Sequence, residues 1–279
     1  MLTLPRAAWV THADARFLPL AEVLIEGLAA FSRLPVVLYA VDPPADFAYR
    51  APNVIVRRLA GAGRHIAYLK LTALLDALDA GLERGVYLDA DHVPTPEVDR
   101  LFAAAGGAGD VPLLPRHPRD LGDEVNGALM AELGVTAKSM PYAHSCALGF
   151  GPACRPFLAE CDAVARACER RGVHPPVVDE TIVNVLLWKR GARRQLPSAN
   201  LPHRLFESWL GGSLESDPEF TARYAGHPYQ VATFHYCKDP ARARAMLAAI
   251  VARPGPEDGR LEGGEGWAGP KAAARSGPG

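Results

Sequence analysis

Residues 85–93 read Gly85-Val86-Tyr87-Leu88-Asp89-Ala90-Asp91-His92-Val93. An apolar segment here runs directly into two carboxylates, Asp89 and Asp91, spaced two residues apart. Pro94 and Pro96 follow, and because proline cannot donate to a sheet ladder, we do not expect a central strand to continue through them. The doublet is therefore predicted at the carboxyl end of a strand, where open α/β sheets bind their ligands.

The spacing of the two carboxylates is compatible with two interpretations. Side chains two residues apart share one face of an extended strand, so a solvated strand end explains the pair. If a turn aims both at one ion, their hard oxygen donors suit Mg²⁺ or Mn²⁺ and, through the ion, a diphosphate. The rest of the chain has to decide between a solvated strand end and a metal site.

The first hundred residues alternate between apolar strand-like runs and helical leucine patterns. Strands are predicted over residues 7–10, 35–41, 53–58 and 85–89, and helices over 17–31 and 64–82, the second opened by Arg64 and His65 and striped with leucines from Leu71 to Leu82. This order favours a mostly parallel sheet covered by helices, with the strand ends at Thr11 and Asp89 on one edge. The chain has no Gly-x-Gly-x-x-Gly after its first strand and no Walker A loop, which disfavours a Rossmann dehydrogenase and a P-loop phosphotransferase.

The second half of the chain is less regular. Candidate strands cover residues 111–114, 143–150 and 233–236, and candidate helices begin near Pro156 and Thr181. Residues 254–279 contain 8 Gly and 4 Pro. A segment of that composition cannot bury a core, so residues 253–279 are predicted to form a disordered tail.

Composition excludes several classes of protein. With 279 residues, 49% of them hydrophobic, the chain suffices for one large α/β domain. The net charge of −1 provides no basic field, which argues against a nucleic-acid partner. We find no apolar run of the ~18 residues that a membrane helix needs and no signal-peptide pattern, so the sequence predicts a soluble, cytoplasmic protein.

Three of the five cysteines, Cys154, Cys161 and Cys168, repeat every seven residues in a helix-like segment. Neighbours in that series would lie ~10.5 Å apart along a helix axis. Because a disulfide needs Cα atoms within ~7 Å, we expect small apolar residues on one buried helix face, in keeping with a reducing compartment.

The acidic pair Asp179-Glu180 opens a predicted helix. Acids at that position interact favourably with the helix dipole and often only cap the helix. A carboxylate held near an acceptor hydroxyl could instead act as a base or support a developing oxocarbenium ion. Both roles remain open for Asp179 and Glu180.

Two basic side chains and one histidine are further candidates. His235 is either a satisfied core residue or the imidazole that completes an Asp-Asp-His metal set. Lys238 is either a solvated lysine or a point charge that neutralises a diphosphate. Lys70 borders the leucine stripe of its helix, from which it could snorkel or reach toward phosphate.

Thr11 and Asp14 follow the first predicted strand. There they could grip a nucleobase or ribose, or they could cap the next helix.

Five segments occur in an order typical of a known family. They are Val10-Thr11-His12-Ala13-Asp14, Tyr68-Leu69-Lys70-Leu71, Tyr87-Leu88-Asp89-Ala90-Asp91, Asp179-Glu180-x-x-x-Asn184 and Phe234-His235-Tyr236-x-Lys238. With this order the chain resembles the nucleotide-sugar glycosyltransferases of GT-A fold, and among them family 8, the glycogenin-like group. The resemblance implies a GT-A domain over residues 1–252, with a nucleotide-binding half in 1–100 and an acceptor half in 101–252.

The resemblance also implies roles for individual residues. Asp89 and Asp91 match the metal-binding Asp-x-Asp, and His235 matches the C-terminal metal ligand. Lys70 matches a donor-binding lysine, Lys238 a lysine on the diphosphate, and Asp179 an acidic residue near the reacting sugar.

The implied activity is a Mn²⁺- or Mg²⁺-dependent hexosyl transfer from a nucleotide diphosphate, most often UDP, to an unidentified acceptor with retention. The family usually has His-x-x-Gly-x-x-Lys-Pro and Phe-Asn-x-Gly, where this chain has His235-x-x-Lys238 and Ala143-His144-Ser145-Cys146.

Two other functions remain open from the sequence. A sugar-nucleotide nucleotidyltransferase usually has a Gly-rich loop and a basic residue after its first strand, and Thr11-His12-Ala13-Asp14 has neither. A catalytically silent protein that binds a nucleotide sugar with the same fold would carry the same motifs.

Overall fold

A computed structural model of the protein describes residues 3–117, 121, 123–196, 200–211 and 231–253. Its strands are β1 (Ala7–Ala13), β2 (Val36–Val41), β3 (Val54–Leu59), β4 (Arg84–Leu88), β5 (Val93–Pro94), β6 (Ala147–Phe150), β7 (Asn200–Pro202) and β8 (Thr233–His235). Its helices are α1 (Leu18–Phe31), α2 (Ile66–Asp79), α3 (Asp99–Ala105), α4 (Asp123–Glu132), α5 (Arg155–Arg171), α6 (Val178–Lys189), α7 (Phe206–Leu210) and α8 (Pro240–Ala252). The predicted disordered tail lies outside the described residues from 254 onward.

The central sheet has five strands in the order β3-β2-β1-β4-β6. The β1–β2, β2–β3 and β1–β4 pairs are parallel, and β6 joins β4 antiparallel at one edge. Val10 lies opposite Tyr87 in the β1–β4 pair, so the carboxyl ends of these two strands meet at the same edge of the sheet. This is the mostly parallel α/β sheet that the sequence predicts.

Successive side chains along each strand point to opposite faces of the sheet. Helices cover both faces, so both sets of side chains are buried. Trp9 and Leu38 pack on one face with a core that includes residues of α1, α3 and α8. Val10 and Tyr39 pack on the other face with residues of α2, α5 and α6. The near-continuous apolar runs of β1 and β2 follow from this two-sided burial.

Several element boundaries differ from the sequence-based expectations. Strand β1 runs to Ala13 rather than to Val10, because residues 11–13 continue the ladder with β2. Helix α2 begins at Ile66, next to Arg64 and His65 as predicted, and the His65 side chain caps it by accepting the Ala67 N–H. It ends sooner than predicted, at Asp79.

The candidate strands of the second half are shorter than predicted. Residues 111–114 form no strand, and Leu113 makes a single bridge to Gly149. The regular part of the 143–150 segment is limited to β6, and Ala143 makes one bridge to Arg116. Strand β8 ends at His235, since Tyr236 has a left-handed backbone with φ of 70°.

A second sheet of three strands, in the order β5-β8-β7, was not predicted. Strand β5 contains Pro94 and lies at an edge of this sheet, where a missing N–H is tolerated. Val93 pairs with Phe234, which brings the chain just after the carboxylate doublet against β8.

The prediction that Cys154, Cys161 and Cys168 are buried and form no disulfide is confirmed. None of the five cysteines forms a disulfide, and all five are buried. Cys161 and Cys168 lie on the buried face of α5, and Cys154 lies in the 3₁₀ turn before it. Within the part of the chain that the structure describes, no helix is both long and apolar enough to cross a bilayer.

Candidate active site

A cleft of about 690 Å³ opens at the edge of the sheet where β1 and β4 end. It is lined by His12, Phe17, Ile66, Ala67, Lys70, Tyr87, Asp89, Ala90, Asp91, His117, Leu121, His144, Ser145, Val177, Asp179, Glu180, His203, Arg204, His235, Tyr236 and Lys238. Seven of the nine sequence-predicted site residues are in this set, and Thr11 and Asp14 are not. The volume is in the range of ~300–1,000 Å³ that is typical of small-molecule sites.

The carboxylate doublet lies in the turn after β4. The Asp89 N–H donates to the Cys146 carbonyl at 2.9 Å, and the His92 N–H donates back to the Asp89 carbonyl at 3.3 Å. The Tyr87 hydroxyl donates to Oδ1 of Asp89 at 2.6 Å. The side chain of Asp89 stays 29% exposed, whereas that of Asp91 is 3% exposed. The turn therefore places one carboxylate at the wall of the cleft and buries the other.

His235 reaches the doublet from the second sheet. Its Nε2 lies 3.2 Å from Oδ1 of Asp91. One donor atom each of Asp89, Asp91 and His235 lie within 4.8 Å of one another. Burial disfavours the Asp91 carboxylate, but His235, His92 and Lys238 outweigh it and hold the pKa of Asp91 well below its usual value. The three side chains are a possible metal-ligand group with a charged carboxylate at its centre.

Lys70 connects the doublet with the acidic pair of α6. Its Nζ donates to Asp179 at 2.9 Å and to the Ser145 carbonyl at 2.9 Å, and lies 3.2 Å from Oδ1 of Asp89. Burial alone would favour the neutral amine, yet the carboxylates of Asp179 and Asp89 raise the pKa of Lys70. The lysine thus remains a buried cation between two carboxylates.

Asp179 and Glu180 lie in the first turn of α6, as predicted, and both are buried. Oδ2 of Asp179 also accepts the Ser145 hydroxyl at 2.9 Å, and Glu180 accepts the Ser145 N–H at 2.8 Å. One turn later, the Asn184 side chain accepts the Ala143 N–H at 2.7 Å and donates to the Ala143 carbonyl at 2.8 Å. Helix α6 therefore holds the segment 143–145 against the cleft.

Burial and, secondarily, the nearby Asp179 carboxylate raise the pKa of Glu180 to about 8. A glutamate in an unfolded chain has a pKa of ~4.3. Between about pH 4 and pH 8, folded Glu180 therefore keeps a proton that the unfolded chain releases. A group whose folded pKa is raised in this way destabilises the fold as the pH rises from about 4 toward 8.

We expect Glu180→Gln to remove this dependence, because glutamine imitates the protonated acid. Between about pH 5.5 and pH 7.5 the free energy of unfolding of the wild type should fall by roughly 2–3 kcal/mol relative to the variant. Chemical denaturation at both pH values measures the difference, and exposed Glu207 provides the matched control as Glu207→Gln. An identical pH dependence in wild type and Glu180→Gln would contradict the prediction.

Lys238 extends over the cleft from the segment after β8. Its side chain is 63% exposed, and its Nζ lies 2.6 Å from Oδ2 of Asp91 and 5.4 Å from the centroid of the Phe17 ring. Such a position leaves the ammonium accessible to an anion in the cleft. Its proposed role on a diphosphate remains a prediction.

Thr11 and Asp14 occupy other positions. Thr11 is buried within β1. The Asp14 carboxylate accepts the N–H groups of Arg16 and Phe17 at 3.0 and 3.2 Å and pairs with the Arg16 guanidinium. These contacts stabilise the turn before α1, whose N-cap residue is Phe17, and nucleotide binding by Thr11 and Asp14 stays a prediction.

The sequence interpretation missed several residues that line the cleft. His12 contacts the Tyr87 hydroxyl through Nδ1 at 2.8 Å and the Ile66 carbonyl through Nε2 at 2.9 Å, which couples β1 to the doublet. His144 contacts the Tyr236 hydroxyl at 2.8 Å. Polar side chains within apolar runs are the only signal that could have identified His12, Tyr87 and His144.

Comparison with known proteins supports the fold. No protein-family model matches the chain, and no curated protein matches it. Among solved structures, the galactosyltransferase LgtC, crystallised with donor and acceptor sugar analogs, superposes with a TM-score of 0.57 at 16% sequence identity. The match covers 88% of this chain and 97% of LgtC. The predicted fold class is thereby confirmed: the chain has the α/β fold of the GT-A glycosyltransferases.

Proposed function

We propose that the protein is a metal-dependent glycosyltransferase of the family 8 type. It moves a hexose from a nucleotide diphosphate, a UDP-sugar by the resemblance of its motifs, to an acceptor hydroxyl with retention. The observation that carries this proposal is the convergence of Asp89, Asp91 and His235 in one cleft at the carboxyl edge of a GT-A sheet. LgtC, which shares the fold, was solved with donor and acceptor sugar analogs in place.

The side chains at the doublet suit the ion that the family resemblance implies. Two carboxylates and one imidazole form a predominantly hard donor set, which fits Mn²⁺ and Mg²⁺. Asp91 is a buried, ionised carboxylate that His235 and Lys238 contact, so it presents negative charge to a cation. When bound, a divalent ion supplies charge neutralisation for the departing diphosphate.

The cleft has a suitable wall for a nucleoside diphosphate. Phe17, Ile66 and Ala67 give it an apolar end close to the first turn of α2, where backbone N–H groups favour an anion. Lys238 stands between Phe17 and Asp91. We infer that the base and ribose lie toward Phe17 and that Lys238 contacts the diphosphate.

A second group of lining residues suits the transferred sugar. Asp179, fixed by Lys70 and the Ser145 hydroxyl, is a preorganised carboxylate that can stabilise positive charge at the anomeric carbon. Burial raises the pKa of Glu180 to about 8, so it is mostly protonated at neutral pH, and its carboxyl accepts the Ser145 N–H. Of the two acids predicted from the sequence, charge stabilisation is assigned to Asp179.

A panel of nucleotide sugars tests the proposal. A ligand that binds only the folded state raises its thermal stability, so UDP-sugars with Mn²⁺ should raise the melting temperature more than the same sugars with EDTA. Slow hydrolysis or transfer should then release the nucleoside diphosphate.

The products separate the alternatives. Release of pyrophosphate from a nucleoside triphosphate and a sugar phosphate would identify a nucleotidyltransferase. Tight binding without turnover of any donor would identify a catalytically silent protein. Stabilisation that is equal with Mn²⁺ and with EDTA would overturn the metal role.

A further inference from the structure

We propose that His92, Cys146 and His235 form a second metal site, next to the carboxylate doublet, that takes a thiophilic divalent ion such as Zn²⁺. One donor atom from each of these side chains lies within 4.8 Å of the other two. All three residues are nearly inaccessible, with exposures of 1%, 1% and 4%. The proposal does not depend on the nature of the sugar donor.

Two nitrogen atoms of this group lack partners. Among the described residues, Nε2 of His92 and Nδ1 of His235 are buried without a hydrogen bond. Leaving a buried polar atom without a partner is costly, so two such atoms in neighbouring rings call for an explanation. The ring centroids lie 4.4 Å apart with 24° between the ring planes, so one ring has to rotate before both lone pairs can point at the same ion. After that rotation a shared ion satisfies both nitrogens.

The outer ring nitrogens of the two histidines have the partners that metal-ligating histidines usually have, and the Cys146 sulfur, which is itself the ligand atom, has a histidine beside it. Nδ1 of His92 contacts the Thr233 hydroxyl at 2.8 Å, and Nε2 of His235 contacts Asp91 at 3.2 Å. The Cys146 sulfur lies 3.1 Å from Nδ1 of His144. Such partners fix the tautomer and orientation of a ligand and increase its basicity.

The fold brings the three side chains together from separate elements. His92 follows the doublet directly, His235 ends β8, and Cys146 immediately precedes β6. The pairing of Val93 with Phe234 sets His92 beside His235, and the Asp89 N–H holds the Cys146 carbonyl. The turn after β4 therefore carries residues of both groups: the two carboxylates of the doublet and His92.

The two groups differ in the ions they favour. Two imidazoles and a thiolate are ligands typical of zinc, whereas the Asp89–Asp91–His235 group is dominated by hard oxygen. On coordination the Cys146 thiol gives up its proton to solvent, and no electron is transferred.

His235 belongs to both groups, so their occupancies are linked. A neutral imidazole has one ring nitrogen with a free lone pair. With its proton on Nε2, facing Asp91, His235 can ligate the soft ion through Nδ1, and the opposite tautomer can ligate an ion at the doublet through Nε2. This consequence rests on the proposed hard-ion site: Zn²⁺ and Mn²⁺ should exclude each other.

Co²⁺ is the probe for the second site, because a cobalt–thiolate bond gives an intense near-ultraviolet absorption. We expect one equivalent of Co²⁺ to produce this absorption in the wild type, and Zn²⁺ to abolish it. Cys146→Ser and His92→Asn should lose it, and His92→Asn keeps an amide donor for Thr233. Asp89→Asn and the matched cysteine control Cys237→Ser should retain it.

Circular dichroism without metal establishes that each variant is folded. Absence of the absorption in the folded wild type, or its persistence in Cys146→Ser, would overturn the site. The absorption needs no nucleotide sugar, so it is independent of any failure to find a donor. Mn²⁺ binding followed by electron paramagnetic resonance tests the linkage. Because Zn²⁺ in excess also competes directly for the doublet, one equivalent of Zn²⁺ is used: it should release more Mn²⁺ from the wild type than from Cys146→Ser, and equal release from both would overturn the exclusion.

Discussion

Replacing Asp91 with asparagine is expected to reduce the release of nucleoside diphosphate from a UDP-sugar by about 10³-fold or more, equivalent to roughly 4 kcal/mol of transition-state stabilisation. The carboxylate of Asp91 is 3% exposed and lies between Nε2 of His235 and Nζ of Lys238. Its removal takes away the buried negative charge of the proposed metal-ligand group. The amide oxygen that replaces it is neutral and holds a divalent ion far less well.

The comparison variant is Asp46→Asn, which removes an exposed carboxylate outside the cleft and should leave turnover within about twofold of the wild type. Turnover is measured over a series of Mn²⁺ concentrations. If Asp91→Asn kept wild-type turnover at every Mn²⁺ concentration while folded, Asp91 would have no part in the reaction.

The sequence predicted the fold through features that are local. Apolar runs 7–10 and 35–41 alternate with leucine-striped helices, and this order alone specifies parallel strands whose ends share an edge. The position of Asp89 follows, because the apolar strand before it is short and Pro94 prevents its continuation. Asp179 and Glu180 were placed correctly at a helix start because acids favour that position.

The sequence could not predict features that depend on pairing between distant segments. The short strands of the second sheet carry too few residues for a periodic signal, and β8 lies 139 residues beyond β5 in the chain, counted from Pro94 to Thr233. That pairing brings His92 beside His235. The burial of Lys70 also depends on a distant segment, because the packing of α6 positions Asp179 and the Ser145 carbonyl against it. The leucine pattern of α2 alone predicted only that Lys70 borders the core.

Lys70→Met is expected to lower the free energy of unfolding by about 3–5 kcal/mol at neutral pH. Methionine fills a similar volume but leaves Asp179 and Asp89 without the ammonium that lies 2.9 and 3.2 Å from them. The Ser145 carbonyl also loses its donor at 2.9 Å. The loss is costly mainly because Asp179, whose side chain is only 8% exposed, is left without its cation where water reaches it poorly. Chemical denaturation with EDTA present measures the effect without compensation by a divalent ion.

Lys189→Met provides the matched control, since that lysine pairs with Glu160 at 3.1 Å but is 43% exposed. A pair of that kind contributes about 0–1 kcal/mol, because water screens it. The double variant Lys70→Met/Asp179→Asn should recover part of the loss, because it removes one of the two carboxylates left unpaired. Equal effects of Lys70→Met and Lys189→Met, or no recovery in a folded double variant, would contradict the interpretation of Lys70 as the cation that joins Asp89 and Asp179. If the recovery occurs, the Lys70–Asp179 pair belongs to the folded state, and the carboxylate that we propose for the sugar side of the cleft is in place before any donor binds.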